Sequence, residues 1–490
     1  MNKIIKRIVG IKNIEYIVLS ILLILGFIVR LYKINNPIAD WHSWRQADTA
    51  SVSKIYVEKG INLLFPKYQD ISSIQTGLQN PEGYRFVEFP IYNAIHAILF
   101  KNIGHFTLEV WGRLLSIICS IISGVLIFCL GKRYLNKWGG LLATFFFLFI
   151  PYNIYFSRVI LPEPMGTMFA LFGVYLFTKY VDLEKKLHLL FSAVFFALAV
   201  LIKPFYLFYS VPLIYLLIEK YTFKKIYKNF KILLPLIIYA LIILLPLILW
   251  RVWISKYPEG IPFYKWVFNG NKIRFKPSYW YWIYSERIGR LILGVWGLIP
   301  FVFGILSAKK KKMFNVFFLI GVILYTIIVA TANVMHDYYQ ISLVPAISLV
   351  TAEGFLFIWN NEIFNKTLSR ILVTFSVFIM LISGWYQAKE YYNVNHPEII
   401  EAGKAIDKIA PKDALILVPY NGDTAFLYQT GRSGWPAVDS SIKEIKDRGA
   451  DYYVSANFSD PDTTQAMNEY EVVEKTSAYV IVDLNQPKLP

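Results

Sequence analysis

Apolar runs long enough to cross a bilayer recur along this chain for most of its length, separated by short stretches rich in lysine. A membrane span needs about 20 residues of helix, and suitable runs lie near 16–33, 109–131, 138–156, 161–180, 188–203, 204–219, 231–254, 289–307, 313–333, 339–359 and 369–386. Backbone N–H and C=O groups have no water to bond inside lipid, so each run is expected as a helix in a bundle of about eleven. Hydrophobic residues make up 56% of the chain and aromatics 17%, which excludes a soluble globule.

The net charge of +17 raises the question of nucleic acid. Its lysines cluster between apolar runs, as orientation by the positive-inside rule produces, so no nucleic-acid partner is expected. With Lys3, Lys6, Arg7 and Lys12 in the cytoplasm, the loops then predicted inside carry Lys132, Arg133 and Lys137; Lys179, Lys185 and Lys186; Lys220, Lys224, Lys225 and Lys228; Lys309 to Lys312; and Lys366 with Arg370. The parity depends on 188–219 being two short spans that meet at Lys203-Pro204. The run from Tyr16 to Tyr32 lacks a small-residue cleavage site and reads as an uncleaved first span. Cys119 and Cys129 sit about 15 Å apart along one helix, too far for a disulfide.

This topology puts unusual chemistry on the outer face. Residues 34–108 form an outer loop containing Asp40-Trp41-His42-Ser43-Trp44-Arg45-Gln46-Ala47-Asp48, and a helix over 41–58 would bring Trp41, Trp44, Arg45 and Asp48 to one side, with Asp40 at its mouth. A surface helix is predicted from Pro90 to Lys101. The other outer segments are the turn holding Arg158 and Glu163, the corner Lys203-Pro204-Phe205, the stretch His336-Asp337-Tyr338-Tyr339-Gln340, and an aromatic and cationic loop at 255–288. Each feature also has a structural reading. Asp40 suits a helix N-cap, Arg45 with Asp48 and Arg158 with Glu163 suit ion pairs, the aromatics suit an interfacial belt, and Lys203 suits a snorkelling lysine.

Ionisable groups near the hydrocarbon boundary are costly unless paired or wetted, so as a set they suggest function. Arg45, Arg158, Lys203 and His336 supply cations, and Asp40, Asp48, Glu88 and Glu163 supply acids. Guanidinium binds phosphate oxygens bidentately. A cationic pocket at lipid level beside a carboxylate fits a polyprenyl-phosphate sugar whose anomeric carbon is attacked by an acceptor hydroxyl. Asp40 is then the candidate general base, and His42, Arg45, Asp48, Glu88, Arg158, Glu163, Lys203, His336, Tyr338, Tyr339 and Gln340 are the candidate substrate-binding set.

In order along the chain, the acidic first outer loop, Glu88-Phe89-Pro90, Arg158 with Leu161-Pro162-Glu163, Lys203-Pro204 and His336-Asp337-Tyr338-Tyr339-Gln340 resemble motifs of the GT-C membrane glycosyltransferases. The resemblance covers about 1–388 and is strongest to the protein mannosyltransferase and lipid A aminoarabinose transferase superfamily, glycosyltransferase family 39. It implies a lipid-phosphate sugar donor, inversion at the anomeric carbon, and an essential aspartate that falls on Asp40. Mannosyltransferases carry Asp-Glu where this chain has Asp40-Trp41, and the aminoarabinose enzymes carry Glu-Lys-Pro-Pro where it has Glu88-Phe89-Pro90-Ile91. The second acid and the lysine are therefore missing. A glutamate at the Glu88 position is a metal contact in the aminoarabinose branch, so a divalent metal on His42, Asp48, Glu88 or His336 stays open.

Beyond Trp385 the composition turns polar, and 389–490 is expected as a small soluble α/β domain outside the cell membrane. It should hold helices near 397–409 and 440–448 and strands at 414–418, 451–454 and 478–482. The reading is an integral protein of the inner or plasma membrane that glycosylates a lipid glycan, a surface polysaccharide or a protein. The alternative is a transporter or flippase of lipid-linked sugars, which would place its charges near the midplane between two similar halves.

Overall fold

The computed structural model describes residues 13–307, 313–363 and 365–488. Lys3, Lys6, Arg7, Lys12 and Lys309 to Lys312, on which part of the predicted orientation rests, lie outside the described residues.

Each predicted span is found as helix, though several are broken where proline or glycine interrupts the backbone ladder. Ile14–Arg30, Leu108–Tyr134, Glu163–Leu183, Lys186–Ile202, Phe230–Ile254 and Lys366–Ala388 run unbroken. The span predicted at 138–156 splits at Pro151 into Lys137–Phe149 and Pro151–Phe156, because proline lacks the N–H that a continuing helix needs. The run at 204–219 opens with a 3-10 turn, Pro204–Ser210, before Val211–Tyr221, and Asp337–Leu343 similarly precedes Val344–Asn360. The span predicted at 289–307 is corrected most. A π-helical turn over Tyr281–Ile292 ends at Gly294 and Val295, both left-handed (φ 49° and 61°), and helix resumes at Leu298–Leu306. The predicted 255–288 loop is therefore largely helical at its end.

Two features identify the lipid-facing and packed sides. Ile14–Arg30 exposes Ile17, Ile21, Ile24, Leu25 and Ile28 on one side, and Phe230–Ile254 buries only Ile243, Trp250 and Ile254 among its apolar residues. Such faces can rest in hydrocarbon but not in water. On the packed sides glycines allow close approach: a Cβ at Gly354 would lie 1.7 Å from the Pro300 carbonyl oxygen, and one at Gly304 would lie 2.0 Å from that of Val350.

Three of the basic loops, those near 132–137, 182–186 and 220–228, gather at one end of the bundle. Lys132 and Lys137 approach Glu15 at 3.3 and 3.9 Å, Arg133 pairs with Asp182, and Lys220 pairs with Glu184 at 2.7 Å. The last pair requires the chain to leave and return between 186 and 220, as two spans do.

The last long helix ends at Ala388, and a sheet of five strands follows in the order β2-β1-β3-β5-β4. These are β1 (Leu415–Leu417), β2 (Gly434–Trp435), β3 (Ala450–Ser455), β4 (Tyr470–Lys475) and β5 (Val480–Pro487). β1 runs parallel to β2 and β3, while β5 is antiparallel to β3 and β4. The helices Pro397–Ile409 and Ile442–Asp447 fall where the apolar spacing placed them; Thr424–Thr430 and Pro461–Glu469, too short for a clear period, were not anticipated. The sheet does not stand apart from the membrane part. Asp70 of the 34–108 loop bridges Gly434, Gly434 N donates to the Gln69 carbonyl at 2.9 Å, and Tyr428 donates to Glu109 at 2.6 Å.

Candidate functional site

A row of alternating charges crosses the end of the bundle opposite the lysine-rich loops. Arg45 Nη2 meets Glu88 Oε1 at 2.7 Å, Lys203 Nζ lies 4.0 Å from Glu88 Oε2, and the same Nζ lies 3.4 Å from Glu163 Oε1. Backbone structure explains the convergence of residues so distant in sequence. Arg45 occupies the first turn of Ser43–Lys59, which contains neither glycine nor proline. Phe89 N donates to the Leu201 carbonyl at 3.0 Å, which holds Glu88 beside the end of Lys186–Ile202, where Lys203 follows in an extended conformation. Glu163 opens the next helix in space, Glu163–Leu183.

The four side chains are almost fully enclosed. Burial works against the charge on Arg45, but Glu88 and Glu163 outweigh it and hold the guanidinium charged. Burial likewise works against the Glu88 carboxylate, and Arg45 with Lys203 outweighs it, keeping Glu88 below the usual carboxylate range. A small cavity of about 10 Å³ adjoins Arg45 and Glu88, and another of about 20 Å³ adjoins Lys203, Glu163, Tyr206 and Tyr339. Each space has room for about one water, so the row is closely packed on both sides.

Asp48 reaches the first cavity as well, where its carboxylate pairs with Arg85 and accepts from Thr424 Oγ1 at 2.8 Å. Both partners were missed from the sequence. Arg85 lies in an irregular stretch without period, and Thr424 opens the short helix Thr424–Thr430, 376 residues beyond Asp48 along the chain.

Asp40 lies in a second, neighbouring cluster. Its Oδ1 accepts from Gln46 Nε2 at 2.6 Å, and its Oδ2 faces Arg158 Nη1 at 3.8 Å with no hydrogen-bond partner among the described residues. It does not cap the helix: His42, in a left-handed conformation (φ 56°), holds that position. Nor does Arg158 pair with Glu163 across the turn. Arg158 donates to the Lys33 carbonyl at 2.8 Å and lies over the Tyr392 ring. Buried Arg113 donates to the carbonyls of Ile34 and Asn36, so two guanidinium groups pin the backbone that delivers Asp40.

Asp337 organises a third group and was not singled out in the sequence, where its neighbours His336 and Tyr338 drew the attention. It accepts from Trp41 Nε1 at 3.1 Å and from Tyr391 Oη at 2.8 Å, lies 2.5 Å from His42 Nε2, and faces Arg287 Nη1 at 3.6 Å. His336 stacks against Tyr338 and Tyr339, with ring centroids 5.6 and 6.2 Å away. Burial, reinforced by His42, pushes its imidazole down to about 4. Near pH 7 it adds a neutral ring to the site rather than the positive charge expected from the sequence. Gln340 is directed elsewhere: its amide donates to Asn333, at 2.8 Å to the carbonyl.

The donor set does not suit a metal. Among the described residues no group of three His, Cys, Asp or Glu side chains stands close enough to share an ion. Glu88 is committed to cations, and His42 to Asp337.

The architecture is that of the GT-C membrane glycosyltransferases. ArnT from Cupriavidus metallidurans, solved bound to undecaprenyl phosphate, superimposes with a TM-score of 0.66 at 12% identity, covering 94% of this chain and 97% of that one. The archaeal oligosaccharyltransferase AglB from Archaeoglobus fulgidus, in complex with an inhibitory peptide and a dolichol-phosphate, gives 0.55 at 9% identity, covering 94% and 74%. An Archaeoglobus fulgidus oligosaccharyltransferase in complex with Zn and sulfate also gives 0.55 at 9% identity, covering 94% of this chain and 73% of that one. Within this fold, residues 89–250 match the family model for dolichyl-phosphate-mannose-protein mannosyltransferases. No curated protein sequence matches this chain significantly.

Proposed function

We propose that this chain is an inverting glycosyltransferase that takes its sugar from a polyprenyl-phosphate donor and passes it to an acceptor hydroxyl on the outer face of a cell membrane. In this reading the N-terminus is cytoplasmic, and residues 389–490 form an extracytoplasmic domain braced on the outer loop. The observation carrying the proposal is the meeting of Arg45, Glu88, Lys203 and Glu163, from four separate segments, in one enclosed row. Such a row at the end of a bundle is costly to keep without a use. The fold neighbours solved with undecaprenyl phosphate and dolichol-phosphate support the donor class.

The donor phosphate binds Lys203 and Arg45, which take up the negative charge that grows on it in the transition state. The acceptor oxygen forms a bond to the anomeric carbon as the bond from that carbon to the phosphate oxygen breaks, with its electron pair leaving on the polyprenyl phosphate. The hydroxyl proton goes to a carboxylate. Asp40 Oδ2 is assigned this role, because it has no hydrogen-bond partner and lies outside the ion-pair row.

Purified full-length protein incubated with radiolabelled polyprenyl-phosphate sugars and a membrane extract tests the reading. Label should pass to an acceptor with cleavage of the sugar–phosphate bond. Asp40→Asn, which keeps the Gln46 contact, should abolish transfer in a folded protein, and near-normal turnover by that variant removes the assignment. Label that crosses the bilayer with the bond intact would replace transfer by transport.

A further inference from the structure

An open groove of about 320 Å³, lined in part by Arg287 and Tyr391, both of which face Asp337, lies between the Tyr281–Ile292 segment and the end of Lys366–Ala388. It takes no part in donor binding as described above. Its walls are aromatic. Tyr386 is 70% exposed and Trp282 40% exposed, and Tyr391 lies at the inner end. The Tyr391 ring stacks on Trp41 with centroids 5.2 Å apart and an angle of 7°, and Trp41 directly follows Asp40 in the chain.

Between the aromatics stand charged and amide groups already balanced against each other. Arg287 faces Asp337, Arg290 Nε donates to Glu286 Oε2 at 2.6 Å, Lys389 lies 3.7 Å from Glu390, and the Gln387 amide donates to the Arg290 carbonyl at 3.0 Å. The pairing leaves no net charge to attract a phosphate. It does leave fixed arrays of N–H donors and carboxylate acceptors beside exposed rings. Guanidinium retains several donors after one is used, and carboxylate retains lone pairs. A ligand that fits has one apolar face to lie on an aromatic ring and a rim of hydroxyls that both donate and accept. A neutral pyranose has both.

We infer that this groove is the acceptor subsite and that the acceptor presents a neutral saccharide ring there, with its nucleophilic hydroxyl directed past Tyr391 toward Asp40. The inference rests on the transferase reading for the meaning of the site, but binding alone tests the site. Exposed Tyr281 and Trp385 beside the groove place its mouth among interfacial aromatics, as suits a glycan carried near the membrane surface.

Saturation-transfer NMR of the full-length protein in nanodiscs, with neutral methyl glycosides of glucose, galactose, mannose and N-acetylglucosamine as probes, tests it. At least one probe should receive magnetisation at its ring protons, and saturating farnesyl phosphate should leave the signal in place. Tyr386→Ala and Gln387→Leu should each weaken binding about tenfold, the size of a contact worth more than 1 kcal/mol. Tyr386→Phe, which keeps the ring, should bind as the parent does. Silence from every probe, equal binding by Tyr386→Ala, or displacement by farnesyl phosphate would each overturn the assignment. A protein that binds these probes but transfers no sugar would instead leave the groove standing and remove the transferase reading.

Discussion

Glu88 shows how tightly single residues at this site depend on one another. It is enclosed between Arg45 and Lys203, so Glu88→Gln keeps the shape and removes the only negative charge that touches Arg45 directly among the described residues. Breaking a buried pair costs about 3–5 kcal/mol because the surviving charge stays buried. Thermal unfolding of the variant in detergent should show a loss of that order, and a melting point equal to the parent's would mean that water reaches Arg45. Asp70 carries a pH signature. Burial pushes its carboxyl up to about 6 against hydrogen bonds from Ser72 N and Tyr68 Oη. The folded protein thus holds the proton more tightly than the unfolded chain, so Asp70 favours the fold most below pH 4. That advantage is lost as pH rises through 6 and is worth at most about 3 kcal/mol for a shift of this size. Asp70→Asn should flatten the rise in melting temperature between pH 7 and pH 4, and an unchanged slope would refute the assignment.

Between helices, the crossing of Leu298–Leu306 with Val344–Asn360 depends on paired glycines. Gly304 and Gly354 leave no room for a side chain, and the obstructing atoms are the backbone carbonyls of Val350 and Pro300, which cannot rotate away. Gly354→Val should therefore force the helices apart and lower stability by about 1–3 kcal/mol or more. A variant melting within a degree of the parent would show that the crossing can relax. The extent to which elements were legible in the chain followed from their physics. The long apolar runs were, because lipid demands apolar residues over a fixed length. So was the helix found at Ser43–Lys59, since nothing in it breaks helical geometry. The break at Gly294 and Val295 was not, because hydropathy carries no information on φ. Residues of the charged motifs were legible as candidates, while Arg85, Arg287 and Thr424 were not, because each is unremarkable until its partner is known, and within its motif Asp337 drew no role of its own.

For the molecule as a whole, the segment carrying the C-terminal sheet supports the helical bundle. Thr424 donates to Asp48, Gln429 Nε2 to the Ile38 carbonyl at 2.9 Å, and the Ser73 N–H and hydroxyl to Asp439. Thr424→Val keeps the shape and removes one bond to a charged group, a loss of about 1.5–3 kcal/mol. Limited proteolysis of the variant should cut the 34–108 loop sooner than in the parent, and an unchanged rate would show that the C-terminal segment holds the loop without this contact. The sequence by itself determined that the chain crosses a membrane many times, with basic loops on one side and acids and arginines on the other, because burial in lipid and the cost of moving charge act on each segment alone. Only the tertiary structure decided which charges meet. Glu88 joins Arg45 and Lys203, Asp40 joins Gln46 and Arg158, and Asp337 gathers Trp41, His42 and Tyr391. Coulomb and hydrogen-bond energies fall off within a few ångströms, and distances between residues far apart in sequence exist only once the helices have packed.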